Sequence, residues 1–206
     1  MSSVYAAKNG QLLFRVVLGL MPFLVIGLGL IYIVKRESFF PFLQSLFVSD
    51  VLSFLEAALL GLSVGVIIIV GYIVVFTVAN IEIPDSEGKK LIEKILRTPG
   101  GIAVTALGGG IIEEFFFRGV LIGLFIGSST LIDWSVIAIS TLIFWALHLP
   151  QYKGSYFAYA VVFIIGLIFA LLFYFTGSLI APMIAHGVYN LGVGVHFVKT
   201  SKREKI

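Results

Sequence analysis

The segment Ala57–Ala79 reads AALLGLSVGVIIIVGYIVVFTVA, which is 23 residues without a charged side chain. About 20 consecutive apolar residues are enough for an α-helix to cross the hydrocarbon core of a bilayer. The apolar residues of this segment do not alternate with polar ones, as they would in a strand of a membrane β-barrel. The segment therefore predicts a transmembrane helix, and with it an all-α membrane fold.

The composition of the whole chain leads to the same prediction. Of its 206 residues, 59% are hydrophobic and 12% are charged, and the mean hydropathy is +1.10. Soluble domains carry about 25% charged residues, so a soluble fold of this length could not cover its apolar surface. The chain has no cysteine, which excludes disulfides and cysteine-based chemistry. We interpret the net charge of +3 as loop charge facing anionic lipid, and we expect no nucleic acid partner.

Six segments are long and apolar enough to cross the membrane, and we expect them to form one polytopic helical bundle over residues 1–206. A shorter apolar segment, Phe39–Val48, is about half a span and is predicted to lie at the interface or to re-enter the membrane. Residues 84–98 carry apolar and charged side chains on opposite helical faces, which predicts an amphipathic cytoplasmic surface helix. The six predicted spans are Val16–Val34, Ala57–Ala79, Gly101–Ile126, Leu131–Leu149, Tyr156–Phe175 and Ser178–Val198.

The distribution of lysine and arginine predicts the orientation of the bundle. With six spans, the side that holds both termini receives eleven of the 14 basic residues, and the opposite side receives Lys35 and Arg36. The remaining basic residue, Arg118, lies within a span. Basic loops stay in the cytoplasm, so both termini are predicted to be cytoplasmic. The eleven residues are Lys8, Arg15, Lys89, Lys90, Lys94, Arg97, Lys153, Lys199, Lys202, Arg203 and Lys205.

The third predicted span contains charged residues, which are costly in a membrane. In the run Gly108–Arg118, GGGIIEEFFFR, each ionised residue would cost about 2.5–3.5 kcal/mol at a helix centre, so the three must face protein or water. Glu114 and Arg118 have the spacing and order of a favourable ion pair on one helix. Glu113 lies about 100° around the helix from Glu114 and has no partner there. We therefore predict that Glu114 is the salt-bridged carboxylate and that Glu113 is the free one.

Two later spans contribute histidines. His148 lies near the end of the fourth span, and His186 and Asn190 lie in the sixth. His186 and Asn190 project from the same helical face because they are four residues apart. His196 lies beside the basic tail, and we interpret it as an ordinary helix contact. The alternative for all of these polar residues is that they only hold the helices together.

Three motifs occur in order on three predicted spans. They are Glu-Glu-x-x-x-Arg at 113–118, Phe-x-x-x-His at 144–148 and His-x-x-x-Asn at 186–190. Together they resemble the CAAX-protease and bacteriocin-processing family, also called the ABI family, which includes the type II CAAX prenyl endopeptidases. The resemblance covers about residues 101–198, the motif-bearing core, and the first hundred residues carry no motif that matches it.

The resemblance implies an intramembrane endopeptidase that hydrolyses a peptide bond with a glutamate-activated water. Glu113 would be the general base, and His148 would help to hold and polarise the water. Glu114 and Arg118 would orient Glu113 and fix the helix. These roles agree with the chemistry, because a general base needs an unpaired carboxylate.

The same resemblance implies that His186 and Asn190 donate hydrogen bonds to the developing oxyanion, which requires donors without negative charge. The competing mechanism uses zinc, held by Glu113, His148 and His186 with an open position for water. The chain has no His-Glu-x-x-His motif. We therefore expect metal-free hydrolysis without a cofactor.

The expected partners are a peptide or protein substrate at the membrane and the lipid bilayer. The substrate could carry a prenylated tail, or it could be a bacteriocin or another exported peptide. The small size of the chain leads us to expect a minimal member in a prokaryotic cell membrane. Two other functions stay open: a non-enzymatic immunity or regulatory protein of the same fold, and a small transporter or proton relay. The chain shows no internal repeat of the kind that transporters contain.

Overall fold

A computed structural model describes residues 2–78, 81 and 84–203. Over these ranges the chain is helical and contains no β-strand, so the predicted all-α class is confirmed. Two π-helical segments, Gly108–Glu113 and Phe115–Val120, continue α5, and 3-10 turns at Arg36–Ser38 and Leu149–Tyr152 follow α1 and α6. The α-helices are α1 Ser2–Lys35, α2 Phe39–Ser45, α3 Phe54–Val78, α4 Glu87–Arg97, α5 Gly101–Leu107, α6 Thr130–His148, α7 Tyr156–Thr176 and α8 Ile180–Arg203.

Among the described residues, four helical segments are long and apolar enough to cross a membrane. α4 together with Gly101–Val120 raises the number to five, although this pair is bent by 111°. The predicted number of six is therefore approximate. The third and sixth predicted spans carry the charged and histidine residues, and these polar side chains reduce the apolar character on which such a count depends. The four segments are Asn9–Ser45, Phe54–Val78, Thr130–Tyr152 and Tyr156–Thr176.

The observed helix bounds differ from the predicted spans mainly at three places. The first helix, α1, begins at Ser2 instead of Val16. The helical conformation of the third predicted span ends at Val120, and residues 121–127 form turns instead of continuing to Ile126. The last helix begins at Ile180 instead of Ser178 and continues to Arg203. The end of the second predicted span, Ala79, lies outside the described residues.

The short apolar segment Phe39–Val48 forms α2 and a turn that packs against the bundle. Leu46 is buried, and its carbonyl accepts a hydrogen bond of 2.7 Å from the backbone N–H of Leu179. The Leu46 side chain lies against Gly119, where an added Cβ would approach it to 3.2 Å. This contact joins α2 to the second π-helical segment and to the residues that precede α8.

The packing of α8 positions the third motif. α8 lies along α3 and also contacts α5 and the first π-helical segment. Gly61 and Gly65 of α3 are four residues apart, and a side chain at either position would collide with the backbone of Ala181 or Ala185 on α8. Small residues at this spacing allow two helices in a membrane to approach closely. The two glycines therefore allow the close packing that holds α8 beside α3.

The predicted amphipathic helix is confirmed as α4. The hydroxyl of Ser86 accepts a hydrogen bond of 3.0 Å from the backbone N–H three residues later and caps the helix. Ile95 is buried on the apolar face. Gly100 has a φ of 83°, a conformation that glycine adopts without strain, and it lets the chain bend sharply from α4 into α5.

The outer surface of the long helices is apolar. Ile67 on α3, Leu131 on α6 and Phe175 on α7 are 68%, 79% and 64% exposed. Exposed apolar patches of this kind mark surfaces that contact lipid or other proteins. Together with the length of the apolar helices, this surface supports a membrane protein.

Candidate active site

The predicted site residues meet around a cavity of about 210 Å³, which we call the site cavity. Its polar wall includes Glu113, His148, His186 and Asn190. The remaining wall is mostly apolar and comes from α1, α4, α7 and α8. An apolar cavity with a few convergent polar groups is typical of a ligand-binding or catalytic site.

Glu114 and Arg118 form a buried ion pair behind the site cavity. Arg118 Nη1 donates to Glu114 Oε1 at 2.9 Å, and both side chains are 0% exposed. Arg118 Nη2 donates to the carbonyl of Gly166 on α7 at 2.7 Å. The guanidinium also lies over the ring of Phe144, 4.7 Å from its centroid. The pair therefore fastens the second π-helical segment to both α6 and α7.

His186 connects α8 to this ion pair. Its Nδ1–H donates to Glu114 Oε1 at 2.7 Å, so one carboxylate oxygen accepts from two side chains. The imidazole ring stacks on Phe169 with 4.8 Å between the centroids. When Nδ1 carries the proton, Nε2 of a neutral imidazole is an acceptor. Donation from His186 Nε2 to an oxyanion would therefore require the protonated ring.

Glu113 and His148 face each other across the site cavity. Nε2 of His148 lies 4.0 Å from Oε2 of Glu113, and the two side chains are 23% and 18% exposed. His148 Nδ1–H donates to the carbonyl of Phe144 at 2.8 Å. This hydrogen bond places the proton of the neutral ring on Nδ1, so Nε2 presents a lone pair. The two facing atoms are thus both acceptors, and they lie too far apart for a direct hydrogen bond.

Gly109 and Gly110 allow α8 to lie against the first π-helical segment. A Cβ at Gly109 would lie 2.5 Å from Asn190 Nδ2 and 2.9 Å from His186 Nε2, and a Cβ at Gly110 would collide with the backbone of α8. Asn190 Nδ2 donates to the carbonyl of Thr105 at 3.2 Å. The second hydrogen of the same amide remains for another acceptor.

The first motif lies on wide helical turns. Gly108–Glu113 and Phe115–Val120 are π-helical, so the 100° rotation per residue of an α-helix does not apply there. The prediction that Glu114 is the salt-bridged carboxylate is nevertheless confirmed by its contact with Arg118. Single π-helical turns inside helices are rare and frequently occur at functional sites.

Comparison with known protein families adds evidence that is independent of this geometry. The family model described as Type II CAAX prenyl endopeptidase Rce1-like matches residues 96–192. This range contains all six predicted site residues and the three motifs. Residues 96–192 are therefore similar to the type II CAAX prenyl endopeptidases. The match spans slightly less than half of the 206 residues, and no curated protein and no solved structure matches the chain.

The six predicted site residues fall into two groups. Glu114 and Arg118 lie behind the site cavity as a buried pair. His196, which we interpreted as an ordinary helix contact, is not among the residues that line the cavity. The four predicted residues that line it are Glu113, His148, His186 and Asn190.

The site cavity also has polar lining residues that the three motifs do not contain. Gln151, Tyr152 and Tyr189 also line it. The spacing of four residues between His148 and Tyr152 could have indicated Tyr152, because residues at this spacing lie on the same side of a helix. The apolar face of α4 also forms part of the cavity wall. An amphipathic sequence pattern predicts that a helix has an apolar face, but it does not predict which part of the protein that face contacts.

The zinc alternative requires three ligands that converge on one point. Over the residues that the structure describes, no group of three or more His, Asp or Glu side chains converges closely enough to hold a metal ion. The set Glu113, His148 and His186 is not among such groups in the described part of the chain. Hydrolysis without a cofactor stays a prediction.

Proposed function

We propose that this protein is an intramembrane endopeptidase that hydrolyses a peptide bond of a membrane-associated peptide or protein. The similarity of residues 96–192 to the type II CAAX prenyl endopeptidases supports a protease at the membrane. The observation that carries the mechanism is the facing pair of Glu113 Oε2 and His148 Nε2, 4.0 Å apart on the wall of a mostly apolar cavity.

The facing atoms are suited to hold one water molecule between them. Both are acceptors, so a water whose oxygen lies about 2.8 Å from each could donate one hydrogen to Glu113 and one to His148. Polar groups that are more than 3.5 Å apart are commonly bridged in this way. The lone pairs of such a water would then be available to a substrate carbonyl carbon.

The proposed reaction passes one proton through Glu113. As the water oxygen bonds to the carbonyl carbon, Glu113 takes a proton from the water and the π electrons of the carbonyl move to its oxygen. The C–N bond then breaks, and the leaving nitrogen takes the proton that Glu113 holds. His148 keeps the water in place through its Nε2 lone pair, and the second amide hydrogen of Asn190 is a donor for the oxyanion.

Glu114, Arg118 and His186 act as positioning residues in this proposal. The Glu114–Arg118 pair holds the helical segment that carries Glu113, and His186 fastens α8 to the same carboxylate. A buried ion pair that has both partners keeps a defined geometry, whereas one partner alone is an uncompensated charge. These three residues therefore fix the distances among the groups that would contact the substrate.

We propose a prenylated C-terminal peptide as the substrate class, because the matched family is described as a type II CAAX prenyl endopeptidase. The apolar lining from α1, α4, α7 and α8 suits an aliphatic chain or an apolar side chain. We also propose cytoplasmic termini, from the asymmetry of the basic residues, and a prokaryotic cell membrane as the location. A bacteriocin or another exported peptide is the alternative substrate.

The test compares membranes from cells that express wild type, Glu113→Gln or Glu37→Gln at matched amounts of folded protein. Glu37 is an exposed carboxylate in the turn after α1 and serves as the control. Mass spectrometry of peptide termini should find the same new termini with wild type and Glu37→Gln and none with Glu113→Gln. Purified protein in liposomes is then given a farnesylated peptide, to test the substrate class.

Identical termini for all three proteins would contradict hydrolysis. That outcome favours the non-enzymatic alternative, in which the buried network of Glu114, Arg118 and His186 only packs helices. Cleavage of an unprenylated peptide, with no cleavage of the farnesylated one, would keep the reaction and change the substrate class.

A further inference from the structure

We infer that Tyr152 is a further catalytic residue, whose hydroxyl donates a hydrogen bond to the carbonyl oxygen of the substrate as that oxygen becomes negative. This inference rests on the proposed function and adds a group that none of the three motifs contains. It follows from a comparison of the donors and acceptors that line the site cavity.

The motif residues supply the site cavity with many acceptors and few donors. Glu113 is a carboxylate, and His148 Nε2 presents a lone pair because its Nδ1–H is bonded to a backbone carbonyl. His186 donates from Nδ1 to Glu114, so its Nε2 is also an acceptor in the neutral ring. Only the second amide hydrogen of Asn190 is left as a donor. An oxyanion is stabilised by several donors that converge on it.

Tyr152 lies where another donor is needed. It belongs to the turn Leu149–Tyr152, four residues after His148, and both residues line the site cavity. Its hydroxyl oxygen accepts a hydrogen bond of 2.8 Å from Nε2 of Gln151. Since a phenol has one proton to donate and this contact uses only a lone pair, the proton of Tyr152 remains for the substrate.

The turn that carries Tyr152 is held in place from outside the cavity. The hydroxyl of Ser86, at the start of α4, donates to the carbonyl of Gln151 at 3.3 Å. Gly88 of α4 lies against the same turn, and a Cβ there would be 2.5 Å from the carbonyl oxygen of Pro150. Donors that are fixed before the reaction stabilise developing charge most effectively. Tyr152 is fixed in this sense by Gln151 and by the contact with α4.

The test measures Tyr152→Phe, with Tyr159→Phe as the matched control. Tyr159 also loses a hydroxyl, but this hydroxyl accepts from the backbone N–H of Gly154 and does not line the site cavity. The substrate is a fluorogenic peptide that contains the cleavage sequence found by terminus mapping, in liposomes. We expect Tyr152→Phe to reduce kcat by about 10²–10³-fold with little change in KM, as for the loss of an oxyanion donor.

A transition-state readout separates this role from a structural one. A phosphinate analogue of the same peptide mimics the tetrahedral intermediate, so its affinity should fall in proportion to kcat/KM in Tyr152→Phe. Gln151→Leu, which keeps the phenol and removes its hydrogen-bond donor, should reduce kcat by about 3–10-fold. This second variant tests the inference if Tyr152→Phe does not fold.

The outcomes distinguish this inference from the proposed function. If wild type cleaves no peptide, both fail. If wild type cleaves, Glu113→Gln is inactive and Tyr152→Phe keeps kcat within about 2-fold, this inference alone is wrong. A rise in KM at constant kcat would also overturn it, since that pattern indicates uniform binding and not transition-state stabilisation.

Discussion

His186 Nδ1 lies 2.7 Å from Glu114 Oε1, the same oxygen that accepts from Arg118 at 2.9 Å. This contact joins residues that are 72 positions apart in the chain and connects the helix of the third motif to that of the first. All three side chains are buried. The shape of the site cavity therefore depends on a buried polar network, of which only His186 lines the cavity.

Arg118→Met should destabilise the protein by about 3–5 kcal/mol, because it leaves Glu114 as a buried charge without its main partner. The double variant Glu114→Gln with Arg118→Met should be more stable than Arg118→Met alone, since the charge is gone. Unfolding of the purified proteins in detergent micelles measures both. A double variant no more stable than the single one would mean that the shape of the arginine, and not its charge, holds the helices.

Gly109→Ala should reduce the rate of peptide cleavage by about 10²-fold, because a misplacement of about 1 Å can have this effect on catalysis. The new methyl group would push against Asn190 and His186 from inside the site cavity. Gly71→Ala is the control, since a Cβ at Gly71 would meet nothing within 4 Å. The measurement is the rate of peptide cleavage by each variant in liposomes. Equal rates would show that α8 can shift to accommodate the methyl group without loss of catalysis.

Glu113→Asp should lower kcat by about 10²-fold while KM stays unchanged. The shorter side chain withdraws the carboxylate from His148, beyond the present 4.0 Å, so a single water could no longer contact both groups. Steady-state kinetics on the fluorogenic peptide give the two constants separately. An increase in KM at constant kcat would instead assign Glu113 to substrate binding.

Gly88→Val should separate α4 from the turn Leu149–Tyr152, because the larger side chain would collide with Pro150 and Gln151. Hydrogen exchange should become faster in that turn and in α4, since local opening exposes their amides. Lys90→Val places the same side chain on the exposed face of α4 and should leave the exchange unchanged. Equal exchange in both variants would show that α4 does not support the turn.

Several features of the site were predicted from local spacing. Glu114 and Arg118 pair because residues four apart on one helix are neighbours, and the structure confirms the contact at 2.9 Å. The amphipathic pattern of residues 84–98 predicted α4, because the separation of apolar and charged side chains on a helix can be read from that segment alone. The all-α class followed from the length of the apolar segments.

Other features could not be derived in this way. The π-helical turn Gly108–Glu113 lies where α8 packs against Gly109 and Gly110, and this packing is a contact between distant segments. The predicted oxyanion donor His186 uses its Nδ1–H on Glu114 instead. No pattern within the sixth span could indicate that partner.

The sequence by itself determined that the chain is a helical membrane protein with three polar motifs, because apolar length and charge position are properties of single segments. The tertiary structure decided that Nδ1 carries the proton in the neutral rings of His148 and His186, and how far Glu113 lies from His148. It also decided that Gln151 and Tyr152 share their cavity. These properties arise where three or more helices meet, and the geometry of such a meeting is set by side-chain packing between segments far apart in the chain.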